Sequence, residues 1–491
     1  MTVEQLRGPL GVAVLAVLLV AAYVALVVVP RNRKPSSATA WMLLIYILPV
    51  VGLLAFLVIG SPRLPAARRA RQTEVDRRIA ARVVAEGLGH VEAPGPPWLD
   101  GVVRQNQNVG ALPMLQGCSA EIHDGYEETI QAIADDIAAA TDFVHVEVYI
   151  LSLDETTEPF FAALEKAVAN GAGVRVLLDH IGSAGYPGYR ATLERLTAAG
   201  VQWHLMLPVQ PWRGRYQRPD LRNHRKLVVV DGLVGWAGSQ NVIDSSYDKR
   251  ANRRKGLRWQ DLMVRVRGPV VQSLDAVFLT DWFSETDELL DITAPERPTD
   301  AAGVAAEGPL AIQVLPSGPG YDTENNLLMF NALLYSARRR VSITSPYFVP
   351  DESLLDAVVA AGLRGLDVEL FVPAEADQFF VQHAQRSYFE TLLRAGVRIH
   401  LYPAPTVLHA KHMSIDDDVA YVGSSNLDIR SFQLDLESSL LIQGREFVDD
   451  LRRVEDGYRA ASRELTLAEW LYRPRVARVV DNLARLTSAL Q

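Results

Sequence analysis

The sequence predicts an α/β protein of two repeated halves, preceded by an N-terminal pair of membrane helices. Two charge-free apolar runs open the chain, short β-branched runs alternate with helical stretches from about residue 110, and the second half repeats the order of the first. The 491 residues are 49% hydrophobic and 22% charged, which suits several domains with a sizeable core and excludes a disordered chain. A net charge of −9 argues against a general nucleic-acid coat, which needs a basic face, so no nucleic-acid partner is expected. The single cysteine, Cys118, excludes an intramolecular disulfide and a cysteine-based zinc cluster.

The apolar runs cover residues 10–29 and 40–60. Each is long enough to cross a hydrocarbon core of about 30 Å at about 1.5 Å per residue. Together they predict a transmembrane hairpin over residues 1–62. The connecting loop carries Arg31, Arg33 and Lys34; the outer flanks carry Arg7, Arg63, Arg68, Arg69 and Arg71. The excess of basic residues on the flanks places both termini in the cytoplasm, as in a multi-pass cell-membrane protein. Residues 63–110 read as a basic juxtamembrane linker. Its seven arginines between 63 and 82 suit either a solvated stop-transfer flank or anionic lipid head groups.

The soluble part divides into a first repeat, 111–292, a Pro- and Ala-rich linker, 293–308, and a second repeat, 309–464. Strands are expected at 143–151, 174–179 and 226–231, with a helix at 159–170 whose Phe160, Leu164 and Val168 share one face. Tyr149 and Tyr347, Gly200 and Gly396, and His224 and His409 lie 198, 196 and 185 residues apart. That slow drift is what a duplication with loop changes produces. The largest difference is an insertion at 207–222 with Trp212, Arg213, Arg215, Arg218 and Arg222, types that suit an anionic head group or a solvated loop. Residues 465–491 have an amphipathic helical pattern interrupted at Pro474, either docked on the protein or lying on a membrane.

One pattern occurs in both halves. HRKLVVVD carries His224, Lys226 and Asp231 and leads to GSQN with Ser239 and Asn241. HAKHMSID carries His409, Lys411 and Asp416 and leads to GSSN with Ser424 and Asn426. Both fit HxKxxxxDxxxxxxGSxN. On a strand, positions i and i+2 share a face, so each His and Lys project together. Histidine serves near neutral pH as nucleophile or as general acid and base, and lysine offers a compact charge to a phosphoryl oxygen. Two apposed copies place two histidines and two lysines around one phosphate, one histidine attacking phosphorus and the other protonating the leaving oxygen. The expected catalytic set is His224, Lys226, Asp231, His409, Lys411 and Asp416, with Ser239, Asn241, Ser424 and Asn426 binding phosphate. His412 and the nearby Asp416 and Asp418 do not make a metal site, because an i+3 spacing puts His412 on the opposite strand face from His409.

With these motifs, the chain resembles the phospholipase D superfamily and, within it, the bacterial cardiolipin synthases. The resemblance covers almost the whole chain, including RKPSSATAWMLLIYILPVVG in the hairpin, DHIGS at 179–183, SPYFVPDE at 345–352 and GSSNLDIRSFQLDLE ending at Glu437. It implies two phospholipase D-like α/β repeats forming one pseudo-twofold catalytic unit, a phosphohistidine intermediate, no metal and no cofactor. It also implies an acid hydrogen-bonded to each histidine: Glu437 matches that position in the second repeat and Asp261 stands as the candidate in the first. The family usually has Asn where this chain has Asp435. Tyr347 and Phe348 suit either the lipid approach or a core strand end. The implied activity is transfer of a phosphatidyl group between two phosphatidylglycerol molecules, with phosphatidylglycerol, other anionic phospholipids and the membrane as partners. The rivals are a hydrolytic phospholipase D-type phosphodiesterase, a nuclease, disfavoured by the hairpin, and a non-catalytic lipid-binding scaffold, disfavoured by two intact motifs. The sequence does not fix which histidine attacks, the second lipid donor or the oligomeric state.

Overall fold

The computed structural model describes residues 9–31, 34–60, 63–85, 93–213, 215–290, 308–376 and 378–486. The chain divides into two compact units, residues 1–64 with 217–220, and the remainder.

In the N-terminal unit, α1 (Pro9–Tyr23) runs on through a π-type turn, Val24–Val28. Together they give an apolar rod, Gly11–Val28, long enough to cross a membrane. Most of its side chains face outward, while Ala21, Ala25 and Val29 are buried with Ala38 and Ile45. The second apolar run corrects the expectation of a two-helix hairpin. It forms two short helices, α2 (Pro35–Ile47) and α3 (Pro49–Ile59). Pro49 is the cause: it disfavours helical geometry at Leu48, which sits at φ −130° and ψ 74°, and it has no N–H to donate back into α2. The helix α3 then folds back along α2. The Trp41 and Phe56 rings meet edge to face at 5.4 Å. On one straight helix they would stand about 22 Å apart. Gly52 lies against the Ile45 backbone, where a Cβ would come within 2.7 Å of the Ile45 Cα.

In the second unit, α4 (Ala66–Ala85) occupies part of the expected basic linker. It lies against α5 (Val270–Thr286), the last helix of the first repeat. Arg68 is buried and pairs with Glu285 at 2.5 Å; Arg71 pairs with Asp287 at 2.5 Å and donates to the Ser284 carbonyl. These two arginines are therefore held by the protein rather than offered to head groups.

The first repeat contributes β1 (Met114–His123), β2 (Phe143–Val148), β3 (Gly173–Asp179), β4 (Gln202–Met206), β5 (Lys226–Val230), β6 (Val234–Gly238) and β7 (Met263–Arg267). The second contributes β8 (Leu310–Ser317), β9 (Arg340–Thr344), β10 (Asp367–Pro373), β11 (Arg398–Tyr402), β12 (His412–Ile415), β13 (Val419–Gly423) and β14 (Asp435–Gln443). All fourteen lie in one sheet. From the middle outward the order is β1-β7-β6-β5-β2-β3-β4 on one side and β8-β14-β13-β12-β9-β10-β11 on the other. The duplication is thus visible strand for strand, and β15 (Arg463–Leu465) extends one edge. The halves join where β1 and β8 pair antiparallel, Leu115 opposite Ile312. The expected helix at 159–170 is observed as Glu158–Ala169. Its Phe160, Phe161 and Leu164 enter a core with Trp236, while a second core gathers around Phe330, Phe348 and Phe389.

Two short parallel pairings cross between the halves. Arg222–Asn223 pairs with Asp435 and Leu436 of β14, and Arg258–Gln260 pairs with Thr406–Leu408. They set each His-x-Lys segment beside the other repeat. The helix α6 (Phe379–Arg394) connects β10 to β11, and a short helix, Leu467–Leu471, and α7 (Arg475–Arg485) follow β15, with Pro474 between these two. The expected linker 293–308 lies outside the described residues except for Gly308, as do residues 487–491 of the expected C-terminal helix.

Candidate active site

The cross-repeat pairings fix both histidines by their backbones. His224 N–H donates to the Leu436 carbonyl at 2.8 Å, and His409 N–H donates to the Gln260 carbonyl at 2.7 Å. The residue after each acceptor carries the acid. His224 Nδ1 lies 3.0 and 3.1 Å from the two carboxylate oxygens of Glu437; His409 Nδ1 lies 2.7 Å from Asp261 Oδ1. The acids are crossed: each half's histidine is oriented by the other half. An acid on Nδ1 fixes the tautomer and leaves Nε2 for chemistry. Neither half makes a complete histidine–acid pair by itself.

Other expected site residues stand elsewhere. Ser239 and Ser424 were expected to bind phosphate. Instead, Ser239 Oγ donates to Asp261 at 2.6 Å and accepts from Leu262 N–H, while Ser424 Oγ donates to Glu437 and accepts from Ser438 N–H. Their hydroxyls are spent on the acids. Asn241 is also engaged, donating to the Tyr247 hydroxyl at 2.8 Å and accepting from Ile150 N–H at 3.2 Å. Asn426 differs: its Oδ1 is buried with no hydrogen-bond partner among the described residues. Asp231 and Asp416 are a plain correction. Asp231 accepts from the backbone N–H groups of Thr141, Asp142 and Phe143; Asp416 accepts from those of Arg338, Arg339 and Arg340. Each sits five residues beyond its lysine, about 16 Å along a strand. They tie the far end of the strand to the start of its neighbour rather than meeting a phosphate.

The lysines are among the most deeply buried side chains of the chain. Lys226 Nζ donates to the His224 carbonyl at 2.6 Å. Lys411 Nζ donates to the His409 carbonyl at 2.5 Å and lies 3.1 Å from His409 Nε2. Burial lowers Lys226 to about 7 and Lys411 to about 8, with nearby carboxylates opposing the drop. Burial, then the charges of Lys226 and Lys411, pushes His224 well below the usual histidine range. His409 is lowered less, because Asp261 offsets its burial. The acids differ too. Burial raises Glu437 to about 7 despite Lys226, whereas at Asp261 the His409 and Lys411 charges outweigh burial and hold the carboxyl low.

Several neighbours escaped the sequence reading. The Tyr149 ring meets the His224 ring at 5.0 Å and lies 5.3 Å from Lys226 Nζ; Tyr247 stands 6.3 Å from the His409 ring. Tyr149 was visible only as a repeat marker, and Tyr247 follows the GSQN turn with no counterpart pattern. Arg225, between His224 and Lys226, points to the opposite face. There it binds Asp281 and donates to the Glu437 carbonyl at 3.0 Å, bracing the acid that orients His224. Arg222, assigned to the basic insertion, is buried instead and pairs with Asp179 of DHIGS at 3.0 Å. Phe348 is core, and Tyr347 packs with Val381, Tyr388 and Ala484. His412 lies near Glu455, 3.6 Å away, on the other face from His409. Asp435 pairs with Arg430 at 3.2 Å, and burial raises it to about 8. A neutral carboxyl there can donate a hydrogen bond, as the amide usual in the family would.

A duplicated α/β sheet with a histidine and a lysine from each half at one centre defines a protein of the phospholipase D type. Comparison with known proteins is narrower. The family described as "Cardiolipin synthase, PLD-like domain" matches residues 133–282 and 330–456, and "Phospholipase_D-nuclease N-terminal" matches 17–61. "Cardiolipin synthase A" of Pectobacterium carotovorum is 33% identical over 484 residues, covering 96% of each chain. "Cardiolipin synthase" of Geobacillus kaustophilus is 32% identical over 476 residues, covering 95% of this chain and 91% of its own. The crystal structure of phosphatidylserine synthase from Haemophilus influenzae shares the fold, with a TM-score of 0.59 and 16% identity over 79% of this chain and 99% of that one. The chain belongs to the cardiolipin synthase family of phospholipase D-like proteins.

Proposed function

We propose that the protein joins two phosphatidylglycerol molecules into cardiolipin and releases glycerol. His224 Nε2 attacks the phosphorus of the first lipid, and the bond to the head-group glycerol breaks as His409 supplies its proton. The second lipid's free glycerol hydroxyl then gives its proton to His409 and attacks phosphorus. The N–P bond breaks and His224 is restored. Lys226, Lys411 and Asn426 hold the phosphate oxygens. The observation that carries this reading is the pair of histidines, each fixed by an acid of the opposite repeat, beside two buried lysines.

The unlike acids support the division of labour. His224, kept neutral and facing a carboxyl raised to about 7, suits the nucleophile. His409 is lowered less than His224, because the low-held Asp261 carboxyl offsets its burial, so of the two it takes up a proton more readily and suits the acid. Lys411 now donates toward His409 Nε2, so the acid role requires this lysine to swing onto the phosphate.

The catalytic unit faces the cytoplasm in this proposal. If the second run crosses, five basic residues (Arg7, Arg63, Arg68, Arg69 and Arg71) flank its side against three in the loop. If the run returns to the face it entered, the loop residues join that side and only Arg7 opposes them. The excess has the same sign both ways.

The test supplies purified protein with phosphatidylglycerol alone, then with phosphatidylethanolamine or an activated diacylglycerol nucleotide added, and identifies products by mass spectrometry. Cardiolipin and glycerol are expected from phosphatidylglycerol alone. Phosphatidic acid without cardiolipin under every condition would replace transfer with hydrolysis.

A further inference from the structure

The helix α7 is amphipathic, yet it is mounted the wrong way round for a soluble protein. Its apolar residues Val476, Val479, Leu483 and Leu486 recur at three- and four-residue steps, the spacing of a single face. An ordinary surface helix turns that face to the core. Here all four are exposed, at 74, 57, 59 and 79%. The face that docks on α6 carries Ala484 and the buried Asp481. Asp481 is bound by His383 Nδ1 at 2.7 Å and by Arg473 at 2.6 Å, and Arg485 lies over the Tyr388 ring at 4.6 Å. Polar bonds thus fasten the helix and keep its apolar edge outward.

The edge does not stand alone. Phe379 and Phe380 open α6 and are each 61% exposed. The Phe379 ring is 4.3 Å from His383, the residue that holds Asp481. Exposing six large apolar side chains together forgoes about 1.5–3 kcal/mol each relative to burial, and a patch of that kind marks an interaction site. Arg475 and Arg478 lie on the same helix beside the stripe, so the partner is apolar inside and anionic at its surface. Behind the patch, buried contacts lead toward the candidate active site. Tyr347 packs against Ala484 and Tyr388, and Ser345, two residues earlier, accepts from the N–H of Leu427 beside Asn426.

We propose that α7 with Phe379 and Phe380 is a membrane-docking surface of the catalytic unit, its apolar edge seated at the head-group boundary of an anionic phospholipid bilayer. Its contact with lipid is separate from that of the N-terminal unit. It sets the second repeat's side of the active site against the surface from which its substrate comes. This inference rests on the lipid substrate proposed above, but its first test needs no turnover.

The full-length protein carrying Val479→Cys is labelled with an environment-sensitive fluorophore and reconstituted in phosphatidylglycerol vesicles containing brominated lipid. Cys118 is buried, which confines the label. Quenching is expected at position 479 and not at an Ala191→Cys control on an exposed helix of the first repeat. Equal quenching at both positions, or none at 479, would overturn the proposal. A 479-to-479 cross-link without quenching would also overturn it, assigning the patch to a second copy of the chain. In a separate arm, Val479→Asp with Leu483→Asp is expected to lower transfer from bilayer phosphatidylglycerol about tenfold and to spare transfer with a dispersed short-chain phosphatidylglycerol. Unchanged bilayer activity would count against the surface. Loss of wild-type transfer on the short-chain lipid would strike at the proposed reaction and leave the quenching result standing.

Discussion

At the residue scale, one motif holds two kinds of residue that its spacing does not separate. His224 and Lys226 belong to the candidate active site, whereas Asp231 ends the same strand and collects three backbone N–H groups. Asp231→Ala should therefore destabilise the protein by about 2–4 kcal/mol, because those donors lose their partner in a buried place. Thermal unfolding in detergent checks this, and an unchanged midpoint would contradict it. Burial alone would raise the Asp231 carboxyl; the N–H groups of Thr141, Asp142 and Phe143 outweigh it and hold the carboxyl below its ordinary range. Its contribution is then fully present above pH of about 4 and is lost as pH falls through the lowered value. The lysines give the opposite limb. With Lys226 lowered to about 7 and Lys411 to about 8, kcat/KM should fall as pH rises through that window, since a neutral lysine no longer attracts phosphate. Lys226→Arg should move the fall upward, at some cost in rate. A profile flat to pH of about 10, the ordinary lysine range, would show that the lysines keep their charge. The histidines and lysines were legible in the sequence because the duplication repeats them in register. The work of Ser239, Ser424 and the two aspartates was not, because a repeated motif preserves strand anchors and reacting groups alike.

At the scale of elements, hydropathy and geometry part company over residues 40–60. Composition alone makes the run a span, and Pro49 makes it a fold-back. A helix of 13 residues reaches about 20 Å, short of a core of about 30 Å. Both ends of the folded pair should therefore lie on one face of the membrane. Cysteines at Ser37 and Ala67 are expected to react with an impermeant maleimide from the same side. Labelling from opposite sides would show that the run opens into a single span. The helix α4 makes a second prediction. Arg68→Ala leaves Glu285 buried without its cation and should cost about 3–5 kcal/mol in unfolding free energy. Arg77→Ala, at an exposed position, should change stability by less than about 0.5 kcal/mol. In the sequence these arginines were one basic stretch. Only packing against α5 separates the buried ion pair from the solvated face.

At the scale of the whole molecule, the duplication makes one centre from two halves, and the crossing of the acids is what the sequence did not reveal. Sequence order puts Asp261 near His224 and Glu437 near His409. Strand pairing in space reverses this through Arg222–Asn223 against β14 and Arg258–Gln260 against Thr406–Leu408. Each half therefore holds a histidine whose orienting acid is in the other. In the proposed reaction the two histidines act on one phosphate as a unit, and groups that act as a unit do not add when removed. The most direct measurement is phosphatidyl transfer by His224→Ala, His409→Ala and the double variant, each first shown to unfold at the wild-type temperature. Either single variant is expected to lose as much activity as the double. Substantial transfer retained by one single variant, or a further multiplicative loss in the double, would contradict a shared two-histidine site.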